Sequence, residues 1–444
     1  MKNILAEYNE FWKNNNYRSN LVKRPFYQNQ LSQLTKRREI VSVVGIRRSG
    51  KSSILKLCID TLLDSGVQEK NILHVNLEDF RFGINHDVDT LENIYQQYLE
   101  LNKPQGRIYL FLDEIQTIKN FERWLRTYYD KEKDLKIFIT GSSSALLSGE
   151  LASLITGRHI SLTVYPLSFL EYVNFKNSNL LKVFREMSVY SFNLSQNNKE
   201  IMALLKDYLK TGGFPEIVYG RIESRELQLQ QYLTDILYRD IYKRYAIKNL
   251  DLLQQLLQYL ITNSSNEISV NRIAQILSSS RTTISQLINY YKQVFLIEST
   301  TLFSYSANEK LQIKKPQKVY CVDAGLYYAV KQTAQEDLSK MAENIVFLQL
   351  KNTWGKYVFY WKSKIEIDFI IDDGFPINVT YTDNVPEREW EGLFYYLRVK
   401  NLTRGMLITK NLLDKKEESG KVIDYVPLWM FLLADSFDTL RDWL

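Results

Sequence analysis

Two groups of residues in this 444-residue chain have the types and spacing for work on a phosphate ester. The first is Gly45-Ile-Arg-Arg-Ser-Gly50-Lys51-Ser52-Ser53, which keeps the GxxxxGK[ST] spacing. Its glycines let the backbone curl so that successive N–H groups face one point, where phosphate oxygens would lie. Lys51 can then reach the outer phosphates and the Ser52 hydroxyl can ligate Mg²⁺. Gly45, Arg48, Ser49, Gly50, Lys51, Ser52 and Ser53 therefore form the expected cradle for ATP. The second group is Asp113-Glu114, which closes the apolar run Arg107-Ile-Tyr-Leu-Phe-Leu112. Two carboxylates there divide the labour: Asp113 completes the metal's shell, and Glu114 orients and deprotonates the attacking water. The pattern predicts a chain that binds and hydrolyses a nucleoside triphosphate.

Such a site needs elements that bring its halves together. The β-branched run Ile40-Val-Ser-Val-Val44 precedes the glycine loop, and Ile54-Leu-Lys-Leu-Cys58 follows it with helical character. Further strand candidates lie at 72–76, 135–140 and 160–164, with helical patterns at 91–101 and 121–129. Strands alternating with helices predict an α/β domain with a parallel five-stranded sheet over residues 1–166. The acidic pair would then stand at the sheet edge that also holds the glycine loop.

Beyond residue 166 the pattern changes. Residues 167–250 read as a helical lid, with Leu229, Leu233, Ile236, Leu237 and Ile241 on one stripe and a break at Gly212-Gly-Phe-Pro215. Residues 251–332 follow the plan of a winged helix-turn-helix: helices at 252–261, 270–277 and 282–291, then a strand at 294–301. The third helix offers Arg281, Thr282, Thr283 and Gln286 for contact with DNA phosphates or base edges. Residues 333–444 mix strands (357–361, 365–371, 377–381, 406–409) with helices as a separate α/β domain.

Composition is that of a globular protein, 45% hydrophobic and 24% charged. A net charge of +6 permits a nucleic-acid partner without requiring one. Cys58 and Cys321 lie far apart in sequence, which excludes a disulfide framework and fits a reducing cytoplasm. The three histidines, His74, His86 and His159, argue against a His-based zinc site. No signal peptide and no bilayer-spanning apolar run is visible, so a cytoplasmic location without membrane association is expected. Trp429-Met-Phe-Leu-Leu433 reads as a core element.

With these residues in order, the chain resembles the AAA-type P-loop ATPases of bacteria and archaea that carry a lid, a winged helix and a C-terminal PD-(D/E)xK (restriction-endonuclease-like) domain. Besides the glycine loop, the landmarks are Leu112-Asp-Glu-Ile-Gln116, Thr140-Gly-Ser-Ser-Ser144, Gly157-Arg158, Tyr165-Pro-Leu-Ser-Phe169, Gly212-Gly-Phe-Pro-Glu216, Asp323-Ala-Gly-Leu326 and Glu366-Ile-Asp-Phe369. The resemblance implies that Ser142 senses the γ-phosphate, that Asn76 holds the catalytic glutamate until a ligand binds, and that Arg158 is an arginine finger. Such a finger typically serves a neighbouring subunit, which implies a homo-oligomer. In the nuclease-like domain Glu343 and Asp368 match the first two metal-holding positions. The third element falls at Asn378-Val379-Thr380, where both the acid and the lysine are missing, so a degenerate nuclease is expected unless Lys362 or Lys364 supplies the cation.

Two readings follow. In the first, ATP turnover moves the lid, and the winged helix and nuclease-like domain grip duplex or branched DNA. Positive charge at Lys36-Arg-Arg38 and at Lys310, Lys314, Lys315 and Lys318 favours it. In the second, the chain is a nucleotide-controlled regulatory switch acting on a protein partner.

Overall fold

The apolar runs expected to be strands do form strands. The computed structural model describes residues 1–14, 16–83, 87–141, 157–220, 224–303, 316–331, 337–372 and 374–444. The chain divides into two compact units, Met1–Val164 and Tyr165–Leu444. In the first unit, β1 (Ile40–Val44), β2 (Ile72–Asn76), β3 (Ile108–Asp113), β4 (Leu135–Thr140) and β5 (His159–Thr163) make one sheet in the order β2-β3-β4-β1-β5. Every pairing is parallel. All residues of β1 and β4 are buried, as strands covered on both faces must be.

Helix Lys51–Asp64 covers one face with Ile54, Leu55, Cys58, Ile59 and Leu62, packed in a cluster with Val41, Val43, Phe111 and Phe138. Each aliphatic side chain so buried contributes about 2 kcal/mol. Phe111 and Phe138, on adjacent strands, stack with centroids 4.6 Å apart. The edge strand β2 is closed by side chains. The Asn9 carboxamide accepts from His74 N at 2.7 Å and donates to His74 O at 2.8 Å. Trp12 Nε1 donates to Ile72 O at 2.9 Å. These groups stand where a neighbouring strand would pair, and so blunt the edge.

The second unit opens with helices, the first of them, Phe169–Lys176, started by a capping box between Ser168 and Glu171. Three sequence landmarks then meet in one buried knot. The Asp323 carboxylate accepts from Gly213 N at 2.6 Å and from Gly325 N at 2.8 Å, while Leu167 N donates to Gly213 O at 2.7 Å. Gly212 sits at φ +72°, and a Cβ there would lie 1.9 Å from Asp323 Oδ1. Only glycine fits such a turn.

Helix Leu250–Thr262 is followed by β6 (Glu267–Ile268), then by helices Val270–Ile276 and Arg281–Gln293, and then by β7 (Ile297–Thr301) and β8 (Gln317–Cys321). The strands form an antiparallel sheet in the order β6-β8-β7. After helix Leu338–Leu348 come β9 (Val358–Lys362), β10 (Glu366–Ile371), β11 (Phe375–Val379), β12 (Arg404–Thr409), β13 (Asp414–Glu418) and β14 (Lys421–Pro427), ordered β13-β14-β12-β11-β10-β9. Helix Glu387–Val399 carries the chain from β11 to its parallel neighbour β12. The β13–β14 hairpin was not expected from the sequence. Helix Leu428–Leu433 is buried throughout, in keeping with its reading as core. Among the described residues no helix is long and apolar enough to cross a membrane.

Candidate functional site

Because the strands of the first sheet share a direction, the segments after β1, β2, β3 and β4 emerge at one edge. The glycine loop follows β1 directly. Gly45 takes φ +144°, and a Cβ on it would stand 2.1 Å from Val164 O. Gly50 at φ +96° turns the chain into the helix that begins at Lys51. Lys51 is buried, and its ammonium donates to Gly45 O and Ile46 O at 3.2 Å each. Arg24, also buried, donates from Nη1 to Ser49 O at 3.1 Å. The Ser49 hydroxyl is buried with no hydrogen-bond partner. A curled loop with an orphaned hydroxyl at a helix N-terminus fits a phosphate chain, whose oxygens would satisfy it.

Asp113 and Glu114 end β3 on the same edge. The Thr140 hydroxyl, at the end of β4, donates to Asp113 Oδ1 and accepts from Glu114 N at 3.0 Å. One hydroxyl thus fixes both members of the acidic pair. Glu114 itself adopts φ +57°, in the left-handed region that few residues other than glycine take. Burial raises the Glu114 carboxyl above its ordinary range, with Asp113 adding to the rise, while Lys51, Arg47 and a hydrogen bond from Gln116 oppose it. The other amide atom of Gln116, Oε1, is buried without a partner.

Ser52, Asn76 and Asp113 line a shared cavity of about 240 Å³, together with Lys56, His74 and Tyr8. The Ser52 hydroxyl and the Asp113 carboxylate are hard oxygen donors of the kind Mg²⁺ takes, so the lining fits that ion. His74 Nε2 is buried and lacks a partner. Burial pushes the His74 imidazole down to about 4, against the pull of Asp113. The Asn76 side chain accepts from Glu78 N at 2.9 Å, and the side chain that grips Glu114 is Gln116. Thr140, Gln116 and Arg24 were not picked out as site residues from the sequence. Two of them, Gln116 and Thr140, stand inside quoted landmarks, two positions from residues that were.

Other expected site residues lie elsewhere. Arg158 precedes β5 at the end of the sheet opposite the glycine loop, one strand length, about 17 Å, away. Its guanidinium pairs with Asp130 at 3.0 Å, and from there it cannot reach a nucleotide held by its own subunit. Ser142, Lys310, Lys314 and Lys315 lie outside the described residues. On helix Arg281–Gln293, Arg281 and Thr282 are exposed. Thr283 N donates to the Ser280 hydroxyl in the helix cap, and Gln286 Nε2 donates to Tyr290 OH at 2.6 Å.

The nuclease-like positions do converge, but around a lysine the sequence reading did not place there. Lys318 Nζ on β8 is 2.7 Å from Glu366 Oε1, 3.2 Å from Glu343 Oε1 and 3.7 Å from Asp368 Oδ1. Neither Lys362 nor Lys364, the alternative sources of a cation left open by the sequence, stands at that centre. Lys362 lies 3.0 Å from Glu267 and 3.5 Å from Glu366, at the rim, and Lys364 is exposed. Asn378 Oδ1 accepts from Asp368 N at 3.1 Å, and Thr380 pairs through its backbone with Ile408.

The family model described as an AAA domain matches residues 37–173, and one for a domain of unknown function (DUF8612) matches 202–337. The chain is 30% identical over 416 residues to the uncharacterized protein MJ1544 of Methanocaldococcus jannaschii, covering 89% of this chain and 88% of that one. It is 29% identical over 422 residues to an uncharacterized protein of Haemophilus influenzae, covering 92% and 98%. Among solved structures, the Walker-type ATPase PABY2304 of Pyrococcus abyssi aligns at TM-score 0.44 and 16% identity, over 70% of this chain and 97% of that one.

Proposed function

The chain belongs to the family of the Methanocaldococcus relative and matches an AAA domain over residues 37–173, and from that premise we propose that it is an ATPase that engages DNA. The observation that carries the ATPase reading is the meeting, at one sheet edge, of the glycine loop with the Thr140-tied acidic pair. Ser52 and Asp113 would hold Mg²⁺, which when bound supplies charge stabilisation to the transferring phosphoryl group. The loop N–H groups and the start of helix Lys51–Asp64 bind and orient the phosphates. Lys51 exchanges two neutral carbonyl acceptors for phosphate oxygens. Glu114, raised by burial and steered by Gln116, takes a proton from the attacking water. Arg158 would act on a neighbouring subunit's nucleotide, since its own lies a strand length away.

DNA engagement rests on the second unit. Its helix–strand–helix–helix–strand–strand order and the β6-β8-β7 sheet follow the winged-helix plan, and the exposed Arg281 and Thr282 open the helix that would meet DNA. Thr283 and Gln286 spend their polar groups within that helix. This favours the alternative output, a nucleotide-controlled contact with a protein partner, over base reading.

The test is the ATPase rate of wild type, Glu114→Gln and Arg158→Ala, with single-stranded, duplex and four-way-junction DNA at low and moderate salt. Glu114→Gln should bind ATP normally and lose about 10²–10⁴ in kcat. Normal turnover in that variant would refute the assignment of the base. Stimulation by one DNA form, weakened by salt as phosphate contacts require and lost in Arg158→Ala, supports the DNA-coupled reading. A flat rate with no DNA binding favours the protein switch.

A further inference from the structure

A PD-(D/E)xK site needs carboxylates that converge on an open centre, where oxygens close to about 2.1 Å around Mg²⁺. In the second unit the centre is filled. Lys318 is 2% exposed, and its ammonium stands 2.7, 3.2 and 3.7 Å from Glu366, Glu343 and Asp368. Among the described residues no group of His, Cys, Asp and Glu is arranged to hold a metal ion.

We infer that the Lys318 ammonium replaces the divalent cation of the nuclease-like site, turning a would-be metal centre into a built-in ion lock that cannot cut DNA. Naming a divalent ion as the group replaced rests on the nuclease-like reading of the six-stranded sheet; the ammonium–carboxylate geometry stands without it.

The surroundings are committed to the same arrangement. Asp368 Oδ2 accepts from Val379 N at 2.9 Å, and Asp368 N donates to Asn378 Oδ1, so the aspartate and the asparagine standing where the third acid is missing are tied to each other's strand. Asp368 lies where the β9–β10 register shifts, between Ile367 and Ile370, and its freed N–H finds the Asn378 side chain instead of β9. Tyr320 OH donates to Glu343 Oε1 at 3.3 Å, and the Tyr360 ring lies 5.6 Å from the ammonium. Lys362 braces Glu366 and Glu267 from outside. Burial, then the neighbouring carboxylate, pushes Glu343 up to about 8. The lock also joins elements, because its members come from β8, helix Leu338–Leu348 and β10.

The experiment uses the full chain without nucleotide, in an Asp113→Asn background that removes the metal-binding carboxylate of the phosphate site, with Mn²⁺ alone as the probe. Melting midpoint and bound Mn²⁺ are the readouts. The parent should bind no Mn²⁺ and melt at the same temperature in Mn²⁺ and in chelator. Adding Lys318→Ala should lower the midpoint in chelator and restore it in Mn²⁺, with about one equivalent bound, and Asp368→Asn should abolish that rescue. If Lys318→Ala folds only when Mn²⁺ is present, the inference is supported in the same way. If it folds in neither condition, Lys318→Met, which keeps the volume without the charge, goes through the same titration. Failure of a folded Lys318 variant to take up Mn²⁺ overturns the inference, as does failure of both variants to fold even with Mn²⁺. Asp368-dependent Mn²⁺ binding by the parent also overturns it, because the ammonium would then yield to metal. None of these readouts contains DNA, so the DNA reading can fail while the lock stands, and the reverse.

Discussion

Lys51 in the first unit and Lys318 in the second are enclosed to a similar degree, 8% and 2% exposed, yet they face different acceptors. The hydrogen bonds of Lys51 to Gly45 O and Ile46 O are with neutral dipoles of its own loop. An incoming phosphate offers charged oxygens instead, which attract the ammonium more strongly than a carbonyl dipole does. Those two acceptors can therefore be given up to a phosphate. Lys318 already holds three carboxylates, and a phosphate could take it only by leaving Glu343 and Asp368 without their cation. A buried lysine thus marks a ligand site only when its partners can let go. The first unit is built for exchange and the second for permanence.

The comparison breaks most visibly on deletion of each ammonium. Lys318→Ala leaves Glu343 and Asp368 without their cation and should cost about 3–5 kcal/mol of second-unit stability, read from denaturant unfolding at neutral pH. Lys51→Ala should leave that stability unchanged and weaken ATP binding by about 3 kcal/mol, roughly a hundredfold in Kd by titration calorimetry. If Lys51→Ala unfolds the chain as Lys318→Ala does, the lysine in the glycine loop is structural and the contrast fails.

The same contrast sorts what the sequence made legible. The glycine loop, the strand before it and the acidic pair are local patterns, each carried within a few residues, and the strands at 40–44, 72–76 and 135–140 form as expected. Thr140 was quoted only within a landmark, because nothing local says that its hydroxyl reaches Asp113, 27 positions earlier. Lys318 was harder still. It stands 25 positions before Glu343 on a strand of the small sheet, and its partners are set by tertiary packing. The available signal was a lysine inside Gln317-Lys-Val-Tyr-Cys321, a strand whose last four residues are all buried. A cation on such a strand must find anions, since burial without a partner costs several kcal/mol. The β13–β14 hairpin escaped because Asp414-Lys-Lys-Glu-Glu418 is charged throughout, as an edge strand can be.

A finer test concerns how burial is answered in each unit. His74, which lines the cavity beside Asp113, is kept neutral: its folded value of about 4 lies below the ordinary 6.5. The unfolded chain therefore binds a proton that the folded chain refuses, and the stability His74 permits at neutral pH is lost as pH falls from about 6.5 towards 4. Between pH 7 and pH 5 the loss amounts to about 2 kcal/mol. Asp323 in the second unit has the opposite sign. Burial raises it to about 6, so the folded state holds its proton more tightly, and its contribution is full at low pH and is lost as pH rises through 6. His74→Phe keeps the edge-on packing against Tyr8, now 6.1 Å between centroids, and removes the titration. Unfolding curves at pH 7 and pH 5 should show the wild-type first unit losing about 2 kcal/mol more than the variant, whatever constant offset the substitution brings. Equal losses would mean that His74 already carries a proton at pH 5 in the folded chain. The cavity beside Asp113 would then be wet and charged, and the contrast between a His74 kept neutral by burial and a Lys318 paired with its carboxylates would have to be given up.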